Sequence, residues 1–169
     1  LSHGVYAKDL VLHIINELGV KAGVGFAYEF AGPAITALSM EERMTICNMS
    51  IEGGARCGYI NPDEKTFKYI KNKLCAPKNE YWDKALIWWK SLKSDENAIY
   101  DDVIKIDASK VEPTVTWGIT PGQSLGINQT IPLLEELPPN DQFIAEEAYE
   151  YMGFKPGQSI KDTPVDVCF

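Results

Sequence analysis

Histidine is nearly absent from this chain, at 2 residues in 169. The 4 cysteines, Cys47, Cys57, Cys75 and Cys168, form no CxxC pair and have no histidine at zinc-ligand spacing. A zinc finger or ribbon is thereby excluded. No stretch reads as a signal peptide, and the cysteines read as reduced structural thiols rather than a disulfide framework. Positive charge is scarce: 16 Lys and Arg stand against 24 Asp and Glu, a net charge of −8. No basic footprint therefore supports binding to nucleic acid or to an anionic membrane surface. The longest uncharged run, Pro113 to Leu134, is interrupted at Pro121 and Pro132, so it is not a spanning helix. A dinucleotide fingerprint is missing too, because Gly23-Val24-Gly25 runs on to Tyr28 where that motif needs a third glycine.

What is present suffices for a core. Hydrophobic residues make up 45% and charged residues 24%, which excludes global disorder and fits one domain, or one and a half. Leu10, Val11, Ile14, Ile15 and Leu18 recur at helical spacing over Ala7 to Leu18, with Gly19 as the stop. Val24 to Phe30 reads as a strand. Ser39 and Glu42 predict a capping box that opens a helix closed by Gly53-Gly54. Cys57 to Ile60 reads as a short strand, Asp63 caps a helix to about Lys73, and Tyr81 to Leu92 is a helix with Trp82, Ala85, Leu86 and Trp89 on one side. Strands follow at Val103 to Ile106 and Val111 to Trp117, then a long loop from Gly118 to Asn140. A helix from Asp141 to Met152 ends at Gly153, ahead of a final strand at Val165 to Phe169. This alternation predicts an α/β fold, a layered α/β/α sandwich with a mixed sheet. The first residue is Leu1 rather than Met, and a terminus inside a strand is unusual; the expectation is an internal piece of a longer protein.

The stretch Ser39 to Ala55 carries the candidate chemistry. At roughly 100° per residue, Met40, Met44, Cys47, Ile51 and Ala55 share an expected core stripe, and Glu41, Thr45, Asn48 and Glu52 form the polar stripe beside it. Asn48 and Glu52 stand four apart, and on spacing alone they read as an ordinary solvent-facing flank. Two features favour function. Glu52 falls where the helix dipole disfavours a carboxylate, and Asn48 is a poor mid-helix residue. A carboxylate at a helix end can act as a general base, with the amide holding a substrate oxygen. By contrast, His3 and His13 have no partner at useful spacing, and His13 is expected to be exposed. Trp82, Trp88 and Trp89 read as packing rather than a sugar or base platform. The sequons at Asn48 and Asn128 are discounted, since nothing marks the chain as secreted.

The run GVGFAYEFAGPAITALSMEERMTICNMSIEGGARCGYINPDEKTF, from Gly23 to Phe67, resembles the large-subunit family of 3-isopropylmalate dehydratases (isopropylmalate isomerases), in the aconitase superfamily. AKDLVLHII, LCAPKNEYWDKALIWWKSLKSDENAIYDDVIKI, EPTVTWGITPGQS and YMGFKPGQSI extend the resemblance in order along the chain. It implies an aconitase-like α/β fold, with residues 1–112 as one domain and 113–169 as the start of the next. It also implies a cytoplasmic hydro-lyase of leucine biosynthesis, which converts 2-isopropylmalate to 3-isopropylmalate by dehydration and rehydration. Such an enzyme uses a 4Fe-4S cluster as Lewis acid and pairs with a separate small subunit. In the family's CNMxxE helix the Asn and Glu reach the active site, which makes Asn48 and Glu52 the candidate catalytic residues. The resemblance assigns none of Cys47, Cys57, Cys75 and Cys168 to a cluster, so this chain alone is expected to hold no metal and to be inactive. Two alternatives are a homoaconitase or related hydro-lyase, and a non-catalytic folded module that binds the small subunit.

Overall fold

The structure is a computed structural model that describes residues 1–161 and 163–168. Helix α1 runs from Ala7 to Leu18, as the apolar spacing predicts. Its buried arc is wider than one stripe: Ala7, Leu10, Val11, Leu12, Ile14 and Ile15 are all buried, and His13 is half-buried rather than exposed. The reason is that α1 has two neighbours. On one side it packs against α3 (Met40–Met49), and on another against the hairpin of β3 (Thr114–Thr116) and β4 (Ser124–Gly126). Polar side chains tie that second contact. Asp9 Oδ1 accepts the Thr114 backbone N–H at 2.7 Å, and two turns on, the Asn16 amide donates to the Ser124 carbonyl.

The predicted capping box is present. Ser39 Oγ accepts the Glu42 N–H at 3.2 Å and Glu42 Oε2 accepts the Ser39 N–H at 2.8 Å, satisfying two otherwise orphaned donors of α3. The helix stops at Met49, however, and Ser50 to Gly54 form a turn closed by Ala55 N–H donating to Ser50 O. The expected core stripe is thereby corrected. Met44 and Ile51 are exposed at 46% and 63% and Met40 and Cys47 are half-buried; Ala55 is buried as expected, but Arg43, Ile46 and Ser50 are buried in place of the rest of the stripe. Arg43 is inside because its two terminal nitrogens are paired with Asp63, the N-cap of α4 (Glu64–Ile70). Arg43 Nη1 donates to Asp63 Oδ1 at 2.9 Å and Nη2 to Oδ2 at 2.7 Å, while Nη2 also donates to the Thr36 carbonyl at 3.0 Å. Thr36 lies in the short helix α2 (Pro33–Ala37), whose carbonyls also accept from Lys65 Nζ.

The strands depart furthest from expectation. Within Val24 to Phe30 only β1 (Tyr28–Glu29) pairs, in parallel with β2 (Gly58–Tyr59); β3 and β4 pair antiparallel. Among the described residues the strands form two separate two-stranded sheets. The class is α/β, and among the described residues the strands do not extend into the mixed sheet of a layered α/β/α sandwich. Val103 to Ile106 is not a strand, and Val103 and Ile104 are exposed. Val165 to Cys168 is not a strand either, and Phe169 lies outside the described residues. Each segment has β-prone residues without a neighbouring strand to satisfy its backbone, and pairing rather than propensity decides a strand. The expected loop from Gly118 to Asn140 is mostly ordered: it holds β4, a bridge from Thr130 to Ser159, and a 3-10 turn at Leu134–Glu136.

Helix α5 (Glu80–Lys90) has no buried residue. Trp82, Ala85, Leu86 and Trp89 are half-buried on one side as predicted, with Trp82 and Trp89 edge to face at 5.6 Å. Helix α6 (Pro139–Met152) closes on Gly153, whose φ of 71° is the left-handed C-cap that glycine favours. Two buried clusters result. One gathers Leu10, Ile14, Ile35, Leu38, Ile46 and Val111; the other gathers Trp117, Leu125, Ile131, Ala145, Ala148 and Tyr149. Among the described residues no helix is long and apolar enough to cross a membrane.

The Arg43 pair generates a stability prediction. The hydrogen bond from Arg43 holds the Asp63 carboxyl down at about 2, below the ordinary carboxylate value of 3.8. A folded pKa below the unfolded one stabilises the fold above the unfolded value, and that stability is lost as pH falls toward 2. Asp63→Asn strands the Arg43 charge, and we expect a loss of about 3 kcal/mol at neutral pH in urea unfolding. We also expect a flatter decline of stability between roughly pH 5 and pH 2 than in the wild type.

Candidate functional site

Three elements converge on an open cleft of about 540 Å³. Helix α1 contributes Lys8 and Leu12, one turn apart on the same face; the end of α3 and its turn contribute Met49 and Glu52; and the far wall is Thr114 to Pro121. Glu52 is placed there by the break in the helix. Its N–H donates to Met49 O at 3.2 Å, and the chain then reverses through Gly53 and Gly54, which leaves the carboxylate exposed on the turn. The reversal delivers the chain to β2, where packing is tight: a β-carbon on Gly58 would lie 2.7 Å from Cys47 Cα, so glycine is required for β2 to lie against α3.

The far wall is shaped by Gln123, which is buried. Its Oε1 accepts the N–H of Ile119 at 2.8 Å and of Thr120 at 3.2 Å, while its backbone carbonyl accepts the Trp117 N–H at 2.8 Å. One side chain thus holds the rim in a fixed bend over the hairpin core. Asn16 reaches the same hairpin, its amide donating to Gly122 O and Ser124 O.

Of the two candidate residues, the structure places Glu52 in the lining of the cleft. Asn48 is exposed on α3 and is not part of that lining. Lys8 and Gln123 were missed by sequence reading. Lys8 carried a usable signal, since it falls in the first turn of α1 where a cation opposes the helix dipole. Gln123 carried none, because its role depends on a loop conformation that a sequence pattern does not display.

The residues do not fit an iron-sulfur cluster. Such a cluster needs several converging thiolates, whereas Cys47 is half-buried and Cys57, Cys75 and Cys168 are exposed. Among the described residues no three His, Cys, Asp or Glu side chains come together as a metal site. Burial pushes the Cys47 thiol pKa up, and the neighbouring Cys57 adds to the effect; a protonated thiol is a poor ligand.

Comparison with known proteins places this geometry in context. The model of the aconitase family (aconitate hydratase) matches residues 1–169. The chain is 89% identical to the 3-isopropylmalate dehydratase large subunit of Prochlorococcus marinus strain MIT 9301 and 90% identical to that of strain MIT 9312. It is 63% identical to the protein of the same name from Synechocystis sp. strain PCC 6803. Each match covers all 169 residues of the chain and 36% of the relative.

Glu52 is exposed and, among the described residues, its side chain makes no hydrogen bond, so the described fold does not depend on it. Glu52→Gln is expected to leave stability within about 0.5 kcal/mol of the wild type in urea unfolding. A larger loss would give the carboxylate a structural role.

Proposed function

The chain belongs to the aconitase family, and from that membership we propose that it forms part of the large subunit of a 3-isopropylmalate dehydratase. The observation that carries this reading is identity of 89% and 90% over the full chain to large subunits of that name. The activity then belongs to the complete enzyme, since the chain spans 36% of the length of these relatives. That enzyme is a cytoplasmic hydro-lyase of leucine biosynthesis, built from large and small subunits, with a 4Fe-4S cluster held outside this chain. The cluster supplies Lewis acidity when bound. A division of the chain near Glu112-Pro113 also belongs to this reading, and the change of core cluster between Val111 and Trp117 supports it.

Within this chain the chemistry falls to Glu52 and Asn48. Dehydration of a hydroxy acid breaks a C–H bond on one carbon and a C–O bond on its neighbour: the carbon-bound proton goes to a separate base of the complete enzyme, and the hydroxyl group leaves as water, which needs a proton at the departing oxygen. Rehydration of the double bond returns that proton. Glu52, on an open turn with no side-chain hydrogen bond among the described residues, is placed to exchange it. The Asn48 amide, on the preceding turn of chain, orients a substrate oxygen. The position of Glu52 in the cleft supports its role; for Asn48 the support is the family's CNMxxE pattern.

Replacing Glu52 by Gln in the complete two-subunit enzyme is expected to lower kcat on 2-isopropylmalate by about 10²–10⁴-fold, the usual worth of a positioned acid-base group. Near wild-type turnover would remove Glu52 from proton transfer, and wild-type turnover of homoaconitate alone would replace the substrate assignment. The 169-residue chain treated with iron and sulfide is expected to develop no visible cluster absorbance and no dehydratase activity. Stoichiometric cluster uptake would place ligands within it.

A further inference from the structure

Lys8 is a cation in an unfavourable place. It stands in the first turn of α1, where the helix dipole opposes positive charge. Its chain neighbour Asp9 is already committed, Oδ2 accepting the Tyr6 N–H at 2.7 Å and Oδ1 the Thr114 N–H at 2.7 Å. Among the described residues Lys8 forms no ion pair. Nothing in the fold repays this position, and residues that break a local rule without structural return concentrate at functional sites.

The cleft gives the lysine an object. Among the described lining residues Lys8 is the one cation and Glu52 the one carboxylate. The rest of the lining combines the apolar side chains of Leu12, Met49, Val115 and Ile119 with the uncharged hydroxyls of Thr114, Thr116 and Thr120. A single ammonium suits one carboxylate group, which it binds by charge-assisted hydrogen bonds. A phosphate would bring a second negative charge beside Glu52 with no second cation to balance it. We propose that Lys8 binds a carboxylate of the hydroxy acid on which Glu52 acts, and that the Leu12, Met49, Val115 and Ile119 wall receives the acid's short branched alkyl group. This assignment of a substrate-binding residue rests on the dehydratase reading.

The test uses the complete large subunit paired with its small subunit. Lys8→Gln is expected to raise KM for 2-isopropylmalate about tenfold or more with kcat within a few-fold, because one charge-assisted hydrogen bond is lost. Lys8→Arg, which keeps the charge, is expected to recover most of that loss. A second readout needs neither variant nor turnover. Acylation of the wild-type enzyme with an amine-reactive ester, followed by peptide mass spectrometry, measures the reactivity of each lysine. Saturating 2-isopropylmalate is expected to slow modification of Lys8 several-fold and leave Lys105, exposed and outside the cleft, unchanged; the uncharged dimethyl ester is expected not to protect. Equal labelling of Lys8 with and without 2-isopropylmalate, or an unchanged KM in Lys8→Gln, overturns the proposal. A wild-type enzyme that does not turn over 2-isopropylmalate overturns the dehydratase reading on which the proposal rests, whereas equal labelling in an enzyme that does turn it over overturns the Lys8 assignment alone.

Discussion

The bidentate pair between Arg43 and Asp63 is the constraint around which the first half of the chain is arranged. Arg43 is 3% exposed, so its charge must be met inside the fold, and pairing with Asp63 meets it by bringing the N-cap of α4 against α3. The same guanidinium holds the Thr36 carbonyl, and Lys65 gathers the neighbouring carbonyls of Thr36, Ala37 and Leu38. Three helices are therefore joined at one polar junction. A buried pair of this kind is weak as a source of net stability, because desolvation offsets much of the attraction. Its geometric consequence is strong: α3 is held in one orientation, and the turn that carries Glu52 inherits it.

Helix α1 is the second organising element, buried on a broad arc because it serves two surfaces. Its apolar residues feed the cluster shared with α3, while Asp9 and Asn16 anchor the β3–β4 hairpin through backbone groups. The cleft lies where these two surfaces meet. Its floor, rim and charged residues come from segments more than 100 positions apart, as the bond from Asp9 to Thr114 illustrates. A site assembled in this way depends on the packing of α1 as much as on its own side chains.

The sequence was most readable where structure is local. The Ser39–Glu42 box, the Gly153 cap and the span of α1 all follow from contacts within a few residues of chain, and each is found where the pattern places it. It was least readable for β structure. Val103 to Ile106 and Val165 to Cys168 have the right residue types but no paired strand. The α3 stripe failed because the neighbours of α3 select the face with Arg43, Ile46 and Ser50, adjacent to the expected one with Met44 and Cys47, and the break at Met49 leaves Ile51 exposed, although Ala55 is buried as expected. For the site, Glu52 was legible as a carboxylate at a helix end and Asn48 as its neighbour on the polar stripe. Lys8 and Gln123 were not identified: Lys8 meets the rest of the cleft only across the fold, and Gln123 acts through a loop conformation that a sequence pattern does not display.

By itself the sequence determined family, helix content and the identity of the candidate acid-base residue, because these are carried by residue order and short-range periodicity. The tertiary structure alone decided that Arg43 is buried, that Glu52 stands on a turn, and that Lys8 shares a cleft with it. Those facts depend on which distant segments are brought together, and that is settled by the pairing of charges and backbone groups in space, which no local pattern encodes.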